Sequence, residues 1–248
     1  MPVRNNARSP RRKRTPQENA ERQEFMESRE KQRKEKALID WIPKTDLGRM
    51  IIKNEITSFD QLAEKNLPLL EPEIIDSLLP DLAEKLVEFR KTTRVTRQGR
   101  SFSFRASVLV GDHYGHVGLG IAKDKERMPA IKKATSAAKM NLITVKKGCG
   151  SWECGCSTNH SIPFKTMGKS ASVRVILLPA PKGTGLVCGN NIKDVLKFGG
   201  VTDVWCQSRG STGTKLNFIQ AAVDALRNTS NVKVSDELRQ KLEKREMQ

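Results

Sequence analysis

"SFSFRASVLVGDHYGHVGLGIAK", residues 101–123, opens the reading of this chain. Phe102, Phe104, Ala106, Val108 and Val110 alternate with Ser101, Ser103, Arg105, Ser107 and Leu109, the period of a strand with one buried face. "GDHYG" then breaks the run and "HVGLGIA" resumes an extended pattern, which predicts a hairpin. The glycines stand as G-x-x-G-x-G and run into a second strand. A dinucleotide-binding fingerprint needs G-x-G-x-x-G opening a helix, so these glycines are expected to shape the sheet. His113 and His116 lie in this hairpin with no nearby cysteine to complete a ligand set, and read as ordinary loop histidines.

Working outward, Pro129 suits the first turn of a helix, with Ile131, Ala134, Thr135, Ala138 and Leu142 as its buried stripe. Lys132, Lys133 and Lys139 ride on it, either as a phosphate-gripping row or as a solvated face. Upstream, Leu82, Leu86 and Phe89 recur at i, i+4, i+7 and predict a helix ending near Thr92 and Thr93. Downstream, "ASVRVILL" and "VTDVWCQS" read as strands, with a short helix capped by Asn190 or Asn191 between them. "GSTGTKLNFIQAAVDAL" reads as a loop entering an amphipathic helix.

The 248 residues carry 45 Lys and Arg against 28 Asp and Glu, a net charge of +17 that favours a polyanionic partner. Arg4, Arg8, Arg11, Arg12, Lys13 and Arg14 form a basic arm, and Thr15, Pro16 and Glu18 start a charged helix after it. No run approaches the roughly 20 apolar residues of a membrane span, and the N-terminus lacks a signal-peptide core. A soluble, cytoplasmic protein is the expectation.

Five cysteines, an odd number, suit a reducing compartment. Cys149, Cys154, Cys156 and His160 form C-x4-C-x-C-x3-H, four soft ligands on a glycine-rich loop. They either hold a structural zinc, with a strained chelate between Cys154 and Cys156, or pack as reduced thiols. Cys188 and Cys206 read as packing.

Enzyme signatures fail one by one. Gly168, Lys169 and Ser170 resemble the end of a Walker A loop, but Pro163 stands where its first glycine belongs. There is no G-x-S-x-G and no H-E-x-x-H, so no enzyme and no required cofactor are expected. "PAPKGTG" offers Lys182 in a glycine turn, either a cradle for one phosphate or a plain connection.

Three stretches together, "RVTRQGRSFSFRASVLVGDHYGHVGLGIAK", "LLPAPKGTGLVCG" and "GSTGTKLNFIQAAVDAL", resemble the small-subunit ribosomal protein five family. "WIPKTDLGRM" and the cysteine loop are similar to its archaeal and eukaryotic branch, with the cysteines leaning archaeal. The resemblance implies an α+β protein in two folded parts. A domain similar to the double-stranded-RNA-binding fold (αβββα) spans 82–147, and a two-layer βαββα domain spans 161–230. Around them come the basic arm and charged helix (1–38), a helical extension (39–81), the Cys/His loop (148–160) and a polar tail (231–248).

The implied role is a structural constituent of the small ribosomal subunit that binds its rRNA, helps form the mRNA entrance path and supports translational accuracy. The implied neighbours are ribosomal proteins four and eight. A protruding loop between the first two strands matches Arg94, Arg97, Gln98, Gly99 and Arg100, implied to meet rRNA, with Phe102 expected to anchor its root in the core. The hairpin glycines Gly115, Gly118 and Gly120 match as well, implying close approach of RNA there.

Overall fold

The computed structural model describes residues 41–53, 55–56, 58–64, 68–156 and 158–231. The basic arm and charged helix expected over 1–38 and nearly all of the polar tail lie outside these. Residues 1–44 and 45–248 form separate units; of the first, 41–44 are described and have no helix or strand.

Three short helices lead in: α1 (Asp46–Ile52), α2 (Phe59–Glu64) and α3 (Glu73–Leu78). Thr45 caps α1, its hydroxyl accepting from the Gly48 amide at 3.2 Å. β1 (Ala83–Thr96), β2 (Gly99–Gly111) and β3 (His116–Asp124) follow as an antiparallel meander, then α4 (Arg127–Met140) and β4 (Leu142–Thr144). The sheet order is β1-β2-β3-β4.

The helix expected from Leu82 to Phe89 is β1. Its helix-like spacing has a specific cause. Leu86 lies opposite Val108 and Phe89 opposite Ala106, while the register shifts between Leu86 and Glu88. That bulge inserts one extra residue, so two side chains three apart in sequence reach the same face of the sheet. The rest of the segment is stiffened by Thr92, Thr93 and Val95, β-branched residues that suit a strand.

β2 also departs from the single buried face expected of it. Ala106, Val108 and Val110 pack with Ala130, Ala134 and Ala138 of α4, whereas Leu109 joins Val117 and the apolar residues of the second domain. The strand is covered on both sides, and its alternation separates two cores. Gly118 and Gly120 of β3 lie against α4, where added Cβ atoms would overlap the Ala138 and Ala134 carbonyl oxygens. These buried glycines serve helix packing, which corrects the expectation that RNA approaches them.

The second domain contains β5 (Thr166–Ser170), β6 (Val173–Pro179), a two-residue β7 (Leu186–Val187), α5 (Asn190–Phe198), β8 (Val204–Arg209) and α6 (Lys215–Arg227). Its sheet runs β5-β6-β8-β7, with β7 and β8 parallel and the other pairs antiparallel. The expected two-layer α+β architecture is present; along the chain it reads strand, strand, short strand, helix, strand, helix. Ile192, Val195, Leu196, Ile219, Ala222 and Leu226 from the helices meet Val173, Val175 and Leu177 of β6 in the core. Gly189 precedes α5, so Asn190 and Asn191 are its first turn rather than its cap. Among the described residues no helix is long and apolar enough to cross a membrane.

Candidate functional site

β3 pairs with β2 only between Phe104 and Gly111, whereas β1 and β2 stay paired out to Thr96 and Gly99. The distal half of the hairpin is therefore a two-stranded ribbon projecting past the sheet. Arg97 and Gln98 form its turn, Gly99 has φ +124°, and the Thr96 hydroxyl donates to the Gly99 carbonyl at 2.9 Å. Residues 89–103, "FRKTTRVTRQGRSFS", hold five cations and no acid.

Two of those cations are occupied. Arg90 pairs with buried Glu88 at 2.8 Å, and Lys91 sits 3.6 Å above the Phe102 ring. Arg94, Arg97 and Arg100 are exposed and have no ion pair among the described residues. Arg94 lies opposite Ser101 and Arg100 opposite Val95, so the two arginines occupy opposite faces of the ribbon, with Arg97 at its tip. Guanidinium forks on both faces and the end can hold phosphates from several directions.

Phe102 does not anchor the ribbon in the core, since it is half exposed beneath Lys91. Phe89 and Phe104 do that work, stacked with centroids 5.5 Å apart and covered by the Arg127 guanidinium at 5.7 and 5.5 Å. No sequence motif marks Arg127, because its partners lie across the sheet.

The lysine row on α4 breaks up. Lys132 is exposed, Lys133 pairs with Asp124 at 2.5 Å, and Lys139 is buried between Asp76 and Glu84 at 2.8 and 3.5 Å. Lys139 is therefore corrected from a phosphate contact to a structural cation. Lys182 is exposed in the turn after β6.

The β2–β3 turn satisfies its own polar groups. Asp112 Oδ1 accepts from the amides of Tyr114, Gly115 and His116 at 2.8, 3.0 and 2.9 Å, and its Oδ2 accepts from His116 Nδ1. Burial would raise the Asp112 carboxyl pKa, but the bonds from His116 and Tyr114 outweigh it and hold the group well below the usual carboxylate range. His113 Nδ1 lies 2.9 Å from the Lys197 carbonyl oxygen. Neither histidine faces a ligand cluster.

Cys149, Cys154, Cys156 and His160 converge, with their ligand atoms all within 4.8 Å of one another. The loop is pinned at its base, where Gly148 and Ser161 exchange two backbone hydrogen bonds of 2.9 Å. Cys156 and Cys149 sulfurs are 3.6 Å apart, and Cys154 Sγ is 3.7 Å from His160 Nε2. Ligands on one tetrahedral zinc stand roughly 3.5–3.8 Å apart, from bonds of about 2.0–2.3 Å. Cys154 and Cys156, at 2.9 Å, are closer, as their single-residue spacing suggests. Hydrogen bonds from Cys154 and Thr158 pull the Cys156 thiol down to about 6, while burial and the other two sulfurs push Cys149 up to about 11. The donor set and its spacing can hold a metal ion.

Asp203, which no sequence motif marks, lies behind His160, its Oδ2 2.9 Å from Nδ1. Burial acts to raise its pKa, but the Gly185 amide, the Thr202 hydroxyl and His160 lower it overall. Cys188 and Cys206 pack against the second-domain core, and burial raises both thiols, Cys206 to about 12.

Two family profiles match this chain. "Ribosomal protein S5, N-terminal domain" covers residues 82–146, and "Ribosomal protein S5, C-terminal domain" covers 168–241. Three archaeal relatives, each named small ribosomal subunit protein uS5, are similar over most of their length. That of Methanocaldococcus jannaschii is 48% identical over 203 residues, 82% of this chain and 94% of the relative. That of Staphylothermus marinus is 50% identical over 193 residues, covering 78% and 90%. That of Methanothermobacter thermautotrophicus is 47% identical over 197 residues, covering 79% and 91%.

Proposed function

Since the chain belongs to the ribosomal protein S5 family, we propose that it is a structural constituent of the small ribosomal subunit, cytoplasmic and ribosome-associated, that binds rRNA and catalyses no reaction. The observation that carries this reading is the acid-free ribbon with three unpaired arginines. Arg94, Arg97 and Arg100 bind rRNA phosphates, Gln98 adds a neutral donor at the tip, and Gly99 gives the turn its left-handed backbone. Lys132 and Lys182 add exposed charge, and Lys133 contributes where phosphate competes with Asp124. Lys139 is excluded by its burial.

On the same reading the ribbon borders the mRNA entrance path and supports translational accuracy, with ribosomal proteins four and eight as neighbours. The Cys149, Cys154, Cys156 and His160 set holds one structural zinc, which closes a loop with little apolar content of its own. The folded domains at 82–147 and 161–230 act as braces that position these two features.

Sedimentation of cell lysate tests the assignment. Co-migration with small subunits through a high-salt wash supports it. A pool off the ribosome that binds any RNA duplex would mark a general duplex-binding module instead.

A further inference from the structure

His160 stands between the cysteine loop and the second domain. Its Nε2 faces the thiols, 3.7 Å from Cys154 Sγ, and its Nδ1 is 2.9 Å from Asp203 Oδ2. The other oxygen of the same carboxylate, Oδ1, accepts from the amides of Gly183 and Gly185 at 3.1 and 2.7 Å. Both glycines have left-handed backbone, φ +91° and +71°, and their turn carries exposed Lys182. The arrangement is braced from below, where the Thr202 and Asp203 amides donate to the His160 carbonyl at 3.0 and 3.1 Å and the Thr202 hydroxyl does so at 2.9 Å. His160 and Asp203 are both buried, 7% and 5% exposed, so little solvent competes with these contacts.

We propose that Asp203 is a positioning residue that couples metal occupancy of the cysteine loop to the order of the 181–185 turn, and through it to phosphate binding at Lys182. The inference rests on the zinc reading above and extends it. A histidine that ligates through Nε2 as neutral imidazole keeps its proton on Nδ1, and a carboxylate on that side fixes both tautomer and ring orientation. Here the carboxylate that serves His160 also ties down two backbone amides of a lysine-bearing turn. A fixed imidazole fixes Asp203, and a fixed Asp203 holds the turn. The coupling is reciprocal, so an anion that orders the turn also strengthens metal binding.

The test uses the full-length chain loaded with zinc. Zinc affinity is measured by competition with a chromophoric chelator, and hydrogen exchange is followed at the Gly183 and Gly185 amides with and without zinc. Asp203→Asn keeps an oxygen for the glycine amides but removes the negative charge 2.9 Å from Nδ1, so zinc affinity should fall roughly ten- to hundred-fold. Gly213→Ala, where nothing lies within 4 Å of an added Cβ, should bind zinc as the wild type does. In the wild type, zinc should slow exchange at both glycines. Wild-type zinc affinity in Asp203→Asn, or glycine exchange indifferent to zinc in a wild type that binds it, overturns the coupling and leaves the zinc reading standing. A wild type that takes no zinc from an equimolar chelator removes both. The exchange comparison needs no variant, so it decides the matter even if Asp203→Asn fails to fold.

Discussion

Lys139 Nζ donates to Asp76 Oδ2 at 3.0 Å, across 63 positions of sequence, and so ties α4 to α3. Only 11% of the lysine side chain is exposed, and Glu84 stands on its other side at 3.5 Å. Truncation to alanine should leave Asp76 without its cation and lower stability by about 1–3 kcal/mol. Lys139→Met, which keeps the stem, should lose less. Urea denaturation measures both, and the salt dependence of RNA binding should be unchanged in each.

The ribbon should behave in the opposite way. Arg97→Ala with Arg100→Ala should leave the melting temperature near that of the wild type, because neither side chain is packed or paired. Against a small-subunit rRNA fragment, the slope of log affinity on log salt should become shallower by roughly 1.8, about 0.9 for each phosphate no longer neutralised. An unchanged slope would remove these residues from the interface.

Gly120 lies beneath the backbone of Ala134 and Ala138, and Gly118 beneath Ala138. A methyl at either position meets backbone rather than a movable side chain. Gly118→Ala and Gly120→Ala should each cost about 3 kcal/mol or more. Gly213, with nothing within 4 Å of an added Cβ, should accept alanine within about 0.5 kcal/mol. Thermal unfolding of the three variants makes the comparison.

Asp112 gives a pH prediction with a defined sign. Its folded-state pKa lies below the ordinary value of 3.8, so its contribution is complete above that value and drains away as pH falls toward the folded-state pKa. Asp112→Asn should be less stable than wild type at pH 7, with the difference shrinking below about pH 4 as the carboxylate of the unfolded wild-type chain gains its proton while the folded one keeps its charge. Denaturation midpoints between pH 7 and pH 2.5 provide the test. A constant difference would assign the Asp112 contribution to shape alone.

Cys154→Ser should abolish stoichiometric zinc, because it removes the sulfur in contact with both Cys156 and His160. Cys206→Ser, partly buried against the core, should retain zinc. Elemental analysis of the purified variants separates them.

Much of the fold is legible in local pattern. The β2–β3 hairpin shows in alternation broken by "GDHYG", and α4 in Pro129 followed by alanines at four-residue spacing. β1 reads as a helix because its bulge gives Leu86 and Phe89 the spacing of a helix face, and only the opposing strand distinguishes the two. At the candidate sites the cysteines and His160 are visible as a ligand set. Asp203 and Arg127 are not, since each matters through partners far away in sequence.

The amino-acid order alone settled the charge, the turns, the soft-ligand set and the family likeness, all carried by neighbouring residues and composition. Which cations remain available to RNA was settled by the folded chain. Lys139 and Arg97 are equally basic as letters, but one is enclosed by carboxylates from distant segments and the other stands at the tip of a ribbon, because side-chain availability depends on long-range packing that no local window contains.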